Sequence, residues 1–445
     1  MKFLTNLIKN RKKWLNSELV FYIAIFFLPF ENFFFAPSAG WAAITPIILA
    51  VYIILNYKHA LKGLLKLRKI LYFFIACVIL GSITAFINNV GIIDYVNSFV
   101  PLGLGAVCLL SFWIFYDKEK DLNKLISLIV LSYSICIVIG LAEYLSVKLE
   151  NTAMQNWLAS LMKREYLVSN GRVQFFFTEP SFIGMHLFGI LLPLYWLSRR
   201  KDLLFVLVLF IIAAIAFNSG VRVFIDIAIV AIIYFIYLLA IHKKLLFIPL
   251  ILLVLGLGFT YSYNSNIRIK KIVDDGIYAD GSLAARYFRI ESSIIGYTKS
   301  PAQMITGFGL GNAIKPVHLG YDEAREEYKS TYMREVDALD KERTDFHDDS
   351  VAYSLYIRFI SEFGLIMTIV AIAYLIHITR NSRLPQKWLY LAIILYIYIQ
   401  FESLGFYAIW IFILTMLFTN KKEITEKALA TRILDNVKKK AIRKK

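Results

Sequence analysis

The residues with the clearest potential for chemistry are charged side chains at the ends of long apolar runs. Arg172 and Glu179 precede one such run, which starts at Pro180 and Ser181. A proline in the first turn of a helix leaves backbone N–H groups free, so this end could receive an anion. Alternatively, Glu179 caps the turn and bonds Arg172. The sequence leaves both interpretations open.

A second candidate is Arg222, which opens another apolar run and is followed four residues later by Asp226. This spacing places both side chains on one face of a helix, where they could form a local ion pair. Alternatively, Asp226 holds the guanidinium group so that its planar fork faces a phosphate or diphosphate. A charge at this depth usually faces a protein interior or a cavity.

Arg286 and Arg289 lie three residues apart, so on a helix they face the same side. Two guanidinium groups on one face can clamp a diphosphate, although a solvated basic face is the simpler interpretation. Downstream, residues 306–312 read Thr-Gly-Phe-Gly-Leu-Gly-Asn. This glycine-rich segment does not predict a nucleotide site, because no strand precedes it and the last glycine of the fingerprint is missing.

His347, Asp348 and Asp349 stand just before an apolar run that begins near residue 350. A histidine beside carboxylates could accept a proton from a hydroxyl group, with an aspartate orienting it. In the alternative interpretation an aspartate caps the helix and His347 is a solvated loop residue. Further acids near predicted ends of apolar runs could line a cavity or bond locally: Glu31, Glu143, Glu362 and Glu402.

The elements that must position these residues are membrane helices. Of the 445 residues, 58% are hydrophobic and 16% aromatic, which excludes a soluble protein. The sequence predicts an all-α polytopic membrane protein, a single transmembrane domain over 1–445 with about twelve spans of ~20 residues. The predicted spans are 19–36, 41–57, 70–87, 98–116, 125–145, 181–198, 203–217, 223–241, 245–262, 350–376, 388–401 and 404–419.

The net charge of +17 is explained by topology. The predicted outer loops at 37–40, 88–97 and 402–403 contain no Lys or Arg, whereas the alternate loops and a basic tail at 420–445 are rich in both. By the positive-inside rule both termini are cytoplasmic, and nucleic acid is not needed as a partner. The three cysteines lie in apolar runs without metal-ligand spacing and are expected to be buried thiols, with no metal site.

Two predicted outer segments are too long to be simple connections. Residues 146–180 include a short amphipathic stretch at 157–164 that is typical of an interfacial helix. Residues 263–349 form a large extracytoplasmic loop, and a loop of this length is expected to be functional. Its part from 321 to 346 lacks Pro and Gly and predicts an external helix that could act as a lid.

In this order along the chain, the motifs resemble those of the O-antigen polymerase and O-antigen ligase superfamily, which are multi-span envelope glycosyltransferases of the class C type. The resemblance covers residues 172–365 and is carried by Arg172, the Thr-Glu-Pro-Ser sequence at 178–181, Asn-Ser-Gly-Val-Arg at 218–222, Arg286 and Arg289, the segment 306–312, His347 and Glu-Phe-Gly-Leu at 362–365.

The resemblance implies glycosyl transfer at the outer, periplasmic face of the bacterial inner membrane, without metal or other cofactor. The donor would be an undecaprenyl-diphosphate-linked oligosaccharide, and a chain-length regulator in the membrane would be a further partner. Arg222, Arg286 and Arg289 are implied to carry the diphosphate, with Arg172 beside them. His347 is implied to activate the acceptor or steady the leaving group. We expect the base to be His347 or Glu179, and Asp348 or Asp349 could orient it.

Two features favour a repeat-unit polymerase over a ligase that moves the glycan to a lipid A-core acceptor. Ligases typically continue their histidine with Asn, whereas this chain has Asp348, and the Glu-Pro-Ser element at 179–181 is more similar to polymerases. Val221 departs from the serine usual before the arginine, Arg222.

Two other functional classes remain alternatives. One is a lipid-linked oligosaccharide flippase or transporter, which would be expected to have broken midplane spans. The other is a scaffold that binds a partner through the large loop.

Overall fold

The structure, a computed structural model, describes most of the chain. The described residues are 17–31, 43–118, 122–162, 173–177, 179–180, 182–217, 219, 221–242, scattered positions between 249 and 264, 267–276, 280–327, 352 and 354–420. Within them the secondary structure is helical, apart from turns and an isolated bridge between Ser382 and Asn420. Arg172, His347, Asp348 and the tail beyond 420 lie outside the described residues.

The helices follow the apolar runs of the sequence. In the first half they are α1 (Ser17–Phe26), α2 (Thr45–Leu55), α3 (Tyr57–Lys66), α4 (Arg68–Ile87), α5 (Ile92–Lys118), α6 (Leu122–Lys148), α7 (Thr152–Leu161), α8 (Phe182–Ser198), α9 (Lys201–Ala216) and α10 (Val221–His242). In the second half they are α11 (Ile267–Asp275), α12 (Gly281–Lys299), α13 (Pro301–Thr306), α14 (Lys315–Glu327), α15 (Leu355–Asn381), α16 (Lys387–Ile397) and α17 (Ala408–Phe418).

The chain is a helical, multi-pass membrane protein. Among the described residues, five helices are long and apolar enough to cross a membrane, namely α4, α5, α6, α10 and α15. The bent pair of α2 and α3 would make a sixth. Shorter apolar helices are α1, α8, α16 and α17. The total of twelve spans stays a prediction.

The predicted span at 41–57 ends in a sharp bend. Helix α2 stops at Leu55, and α3 leaves it at an angle of 101°. Asn56 occupies the corner, where its amide Nδ2 donates to the backbone oxygen of Tyr52 at 2.9 Å. Its Oδ1 accepts from Nζ of Lys118 at 2.8 Å and from Oγ of Ser17 at 3.1 Å. The corner is therefore fixed by three helices.

Helix α8 contains a π-helical turn at Leu187–Leu191. Pro193 explains its position, because proline has no N–H to donate to the residue four positions earlier and its ring clashes with that carbonyl. A local π-turn re-satisfies the freed backbone groups without ending an apolar helix. The wider turn also places Gly189 against the side chain of Ala408.

Two helices that the sequence assigns to outer loops start earlier than expected. Helix α7 begins at Thr152 rather than 157, because Oδ1 of Asn151 accepts from the backbone nitrogen of Met154 at 3.0 Å and caps the first turn. Helix α14 begins at Lys315 rather than 321, since Pro316 is tolerated in a first turn. It packs closely on α12, with Gly320 against the backbone of Ser292.

Candidate functional site

Arg222, in the first turn of α10, is held by Gln400, which follows α16. Its Nε donates to Oε1 of Gln400 at 3.0 Å, and its Nη2 donates to the backbone oxygen of the same residue at 2.6 Å. The amide Nε2 of Gln400 donates to Oδ1 of Asp226 at 2.6 Å. Gln400 therefore bridges Arg222 and Asp226, the two residues for which a local ion pair was one expectation.

Asp226 is buried, with 1% of its surface exposed. Besides Gln400, its Oδ1 accepts from the hydroxyl of Tyr396 at 2.6 Å, while its Oδ2 has no hydrogen-bond donor among the described residues. The carboxylate lies so close to Gly184 of α8 that a Cβ there would overlap it. A buried acceptor of this kind is costly to folding and is typical of a site with a role beyond packing.

Two further predicted site residues approach this network. Arg286 of α12 and Glu179, just before α8, both lie within electrostatic range of Arg222, and Arg286 also acts on Asp226. Two guanidinium groups repel each other, so bringing them together favours a bound anion between them. Glu179 is exposed. The structure thus places Arg286 and Glu179 within electrostatic range of Arg222, although the three residues come from separate parts of the chain.

Helix α12 presents Arg286 and Arg289 as the sequence predicts, but in different surroundings. Asp280 caps the helix by accepting from the backbone nitrogen of Leu283 at 3.1 Å, and it also accepts from Nε of Arg268 at 2.6 Å. Arg286 is half-buried, whereas Arg289 is only 5% exposed. Arg286 is the member of the pair that lies within range of Arg222.

The short segment before Glu179 is held by Glu143 of α6. The carboxylate of Glu143 accepts from the backbone nitrogens of Gln174, at 3.1 Å, and Phe175, at 3.0 Å. Phe175 has a φ of 55°, a conformation that non-glycine residues rarely adopt. Its ring fills the space over Gly140, where a Cβ would overlap it. Glu143 therefore acts as a positioning residue for the chain that leads to Glu179.

The glycine-rich segment at 306–312 packs closely against the backbone of neighbouring helices. The backbone nitrogen of Phe308 donates to the oxygen of Ser361 at 2.6 Å, and that of Leu310 donates to the oxygen of Gly81 at 2.9 Å. Asn88 donates to the oxygen of Phe308 at 2.9 Å. Three glycines of the segment have positive φ, and so does Gly364, where α15 is broken.

A charged cluster lies beside this loop, and the sequence indicated its two acids but not its arginine. Arg358 of α15 lies 3.3 Å from Glu362 and 3.4 Å from Glu402, and its Nη2 donates to Oγ of Ser98 at 2.9 Å. From the sequence, these two acids could line a cavity or bond locally, and in the structure both contact Arg358 and both line a small cavity. Arg358 was not singled out, although its spacing of four residues from Glu362 was the available signal.

A second buried hydrogen-bond network surrounds His186, and the sequence did not predict it. Nε2 of His186 lies 2.8 Å from Oε1 of Glu31, and the hydroxyl of Tyr133 lies 2.6 Å from Nδ1 of the same imidazole. All three residues are fully buried, and Phe177 packs on the imidazole with 4.7 Å between ring centroids. A lone histidine inside an apolar run was the only signal. The network links the first turns of α8 to α6 and to Glu31.

The three cysteines are buried free thiols, as expected. Within the part of the chain that the structure describes, no group of His, Cys, Asp and Glu side chains could hold a metal ion. The contributions of Arg172, His347 and Asp348 stay predictions from the sequence. Comparisons of this chain with protein-family models, with curated proteins and with solved structures gave no match.

Proposed function

We propose that this chain is a polysaccharide polymerase of the bacterial inner membrane. It would transfer a glycan from a polyprenyl diphosphate carrier to a hydroxyl group of another lipid-linked repeat unit at the periplasmic face. The observation that carries the proposal is the approach of Arg286, on an outer helix, to Arg222, at the end of a membrane helix. Such a pair suits a diphosphate that stands at the membrane surface.

In the proposed reaction the acceptor hydroxyl gives its proton to a base while its oxygen attacks the anomeric carbon. The bond from that carbon to the diphosphate oxygen breaks, and the diphosphate leaves on the carrier. Negative charge grows on the leaving group as this bond breaks, so cations fixed in advance stabilise the transition state more than the ground state. Gln400 supplies this fixation by accepting two hydrogen bonds from Arg222.

Glu179 is the proposed base among the described residues, because it is exposed and lies within electrostatic range of Arg222. The sequence adds His347 and Asp348 to the acceptor side and Arg172 and Arg289 to the donor side. In this scheme Asp226 touches no substrate. It orients Gln400, and Gln400 orients the guanidinium group that faces the diphosphate.

A transporter is the second candidate, because α15 is broken at Gly364, and broken spans are typical of transport sites. However, the break is filled by protein. Ile305 lies against Gly364, and the carbonyl of Ser361 accepts a hydrogen bond from Phe308. Backbone groups freed by a break in a transporter would instead face the transported ion or solute. This difference favours the polymerase.

The test is a gel of surface polysaccharide from a strain that lacks the protein, complemented with wild type, R286Q, R286K or R200Q. We expect R286Q to lower chain extension by about 10²-fold or more, and R286K to fall between, because the fork is lost while the charge is kept. Arg200, just before α9, pairs with Asp202 and donates to Asn123 and Ser127 rather than to the arginine cluster, so R200Q should extend chains normally.

The pattern on the gel separates the alternatives. Single repeat units on the surface anchor, without a ladder, support a polymerase. Polymer that accumulates on the lipid carrier would indicate a ligase, and repeat units confined to the cytoplasmic leaflet would indicate a flippase. An unchanged ladder in the R286Q strain would remove Arg286 from the site and overturn the proposal.

A further inference from the structure

Helix α3 carries two parallel stripes that face away from the protein. Tyr57, Leu61 and Leu65 are 58%, 59% and 74% exposed. Their neighbours Lys58, Lys62 and Lys66 are also exposed, and each of the two sets repeats every four residues. The opposite face packs Gly63 against Leu110 and Trp113 of α5. A helix with adjacent apolar and basic exposed stripes is typical of the membrane interface.

The charge of this region has one sign. Between Glu31 and Asp94 the sequence contains no acidic residue, whereas Lys58, Lys62, Lys66, Arg68 and Lys69 fall within twelve positions. Clusters of this kind attract anionic lipids, with each Lys or Arg near the surface adding to the attraction. By the positive-inside rule this end of the helices faces the cytoplasm.

A cavity of about 220 Å³ adjoins the basic end of α3. Lys69 borders it, and its walls are apolar side chains of α4, α15, α16 and α17, among them Phe73, Ala371 and Trp410. Val370, on its wall, is 46% exposed on a membrane-crossing helix, so the cavity reaches the lipid-facing surface.

The two ends of this cavity differ in charge. At its other end, Leu102, Phe359 and Leu404 separate it from a small cavity at the cluster in which Arg358 is bonded to Glu362 and Glu402, and this cluster has one more carboxylate than guanidinium group. An anionic head group is therefore disfavoured there and favoured at Lys69. A lipid that enters this cavity has its head group at the basic end and its chain among the apolar walls.

We propose that the basic end of α3 and the adjoining cavity form a binding site for an anionic phospholipid of the cytoplasmic leaflet. The head group lies at Lys66 and Lys69, and one acyl chain enters the cavity beside Trp410. This site is separate from the arginine cluster at Arg222 and does not rest on the proposed enzymatic activity.

The test uses the full chain in lipid nanodiscs and the fluorescence of Trp410, which bromine atoms on a neighbouring acyl chain quench. The protein contains seven tryptophans, so the signal of Trp410 is taken as the difference from W410F. One set of discs contains brominated phosphatidylglycerol as a minor component in unbrominated phosphatidylcholine. The other set contains brominated phosphatidylcholine at the same mole fraction in unbrominated phosphatidylglycerol.

We expect stronger quenching of Trp410 in the first set. K69Q should lower the preference for the anionic lipid about fivefold, because a lysine near an anionic surface contributes about that factor. The control is K124Q, which removes an exposed lysine at the start of α6, predicted to face the same side of the membrane. Equal quenching in the two sets, or equal losses in K69Q and K124Q, would overturn the site.

A second pair of variants tests the cavity itself. A371F fills it from its wall, whereas A373F adds the same volume on the exposed side of the same helix. We expect Trp410 to lose its quenching in A371F and to keep it in A373F. Retained quenching in A371F would show that the chain lies outside the cavity. Because Lys69 is exposed, K69Q still tests the head-group site if A371F fails to fold.

Discussion

Arg222 and Gln400 are joined by two hydrogen bonds, one to the side chain and one to the backbone of Gln400, although they lie 178 positions apart in the sequence. One residue thus fixes both the position and the plane of the guanidinium group. The same glutamine reaches Asp226, so its loss would affect a cation and a buried carboxylate together.

The first prediction concerns Q400L. The variant removes two side-chain hydrogen bonds and leaves Asp226 with the hydroxyl of Tyr396 as its remaining donor among the described residues. We expect a loss of about 2–3 kcal/mol in the free energy of unfolding, since a buried charged group loses a partner. Thermal unfolding in detergent measures this. Gln155, which bonds a single backbone oxygen, provides the control Q155L with a smaller loss, and similar losses in the two variants would contradict the bridging role.

The second prediction compares two glycines. In G364A the new Cβ would overlap the backbone of Ile305, and a φ of 86° is unfavourable for alanine by about 1–2 kcal/mol. We expect a loss of more than about 2 kcal/mol and a lower melting temperature. Gly103 lies inside α5 with nothing within 4 Å of a Cβ, so G103A should be neutral or stabilising. A stable G364A would show that α15 is continuous.

The third prediction is a dependence on pH. Burial raises the pKa of Tyr297 well above its ordinary value, and its hydroxyl donates to the backbone oxygen of Ile357 at 3.0 Å. Below about pH 10 Tyr297 is neutral in both the folded and the unfolded chain. Above that pH the unfolded chain ionises first, so stability falls by up to about 1.4 kcal/mol per pH unit for this group.

Removing the hydroxyl should therefore flatten the alkaline loss of stability. We expect melting temperatures of Y297F to fall less between pH 9.5 and about 11 than those of Y287F, which alters a tyrosine that is 44% exposed. Because Y297F also loses the hydrogen bond to Ile357, its stability at neutral pH should be lower by about 1 kcal/mol. Parallel pH curves for the two variants would exclude a buried neutral Tyr297.

The fourth prediction concerns the buried pair of Glu31 and His186. Removal of one partner leaves the other enclosed without its hydrogen bond, so H186L is expected to cost about 3 kcal/mol or more. The double variant E31L/H186L should lose less than the sum of the two single variants, since neither the carboxylate nor the imidazole is then left without the other, while Tyr133 loses its partner in both H186L and the double variant. Unfolding of all four proteins gives the coupling energy. Additive losses would mean that the contact contributes nothing.

Much of the fold was predictable, because spans depend on local composition. The predicted span at 70–87 corresponds to α4 at Arg68–Ile87, and the one at 125–145 corresponds to α6 at Leu122–Lys148. What composition could not show is where a span bends or breaks. The corner at Asn56 depends on Lys118 and Ser17, and these lie far away in the sequence.

The candidate site was predictable in its charges but not in its connections. Arginine in an apolar run is rare enough to stand out, so Arg222 was found. Gln400 was missed, because a neutral amide at the end of an apolar run has no distinctive pattern, and its importance comes from contacts across the fold. His186 was missed for the same reason, since its partners Glu31 and Tyr133 lie 155 and 53 positions away.

The glycines at 307, 309 and 311 have a consequence for how related sequences would be interpreted. A side chain at these positions would overlap the backbone at Glu362, at Ala85 and at Asp94 respectively, so each must be glycine for this segment to pack on α15, α4 and α5. We therefore expect Gly-x-Gly-x-Gly to be retained here whatever ligand the candidate site binds. Invariance of this pentapeptide among descendants would record a steric requirement of assembly, and divergence around Arg286 would be the better record of changed substrates.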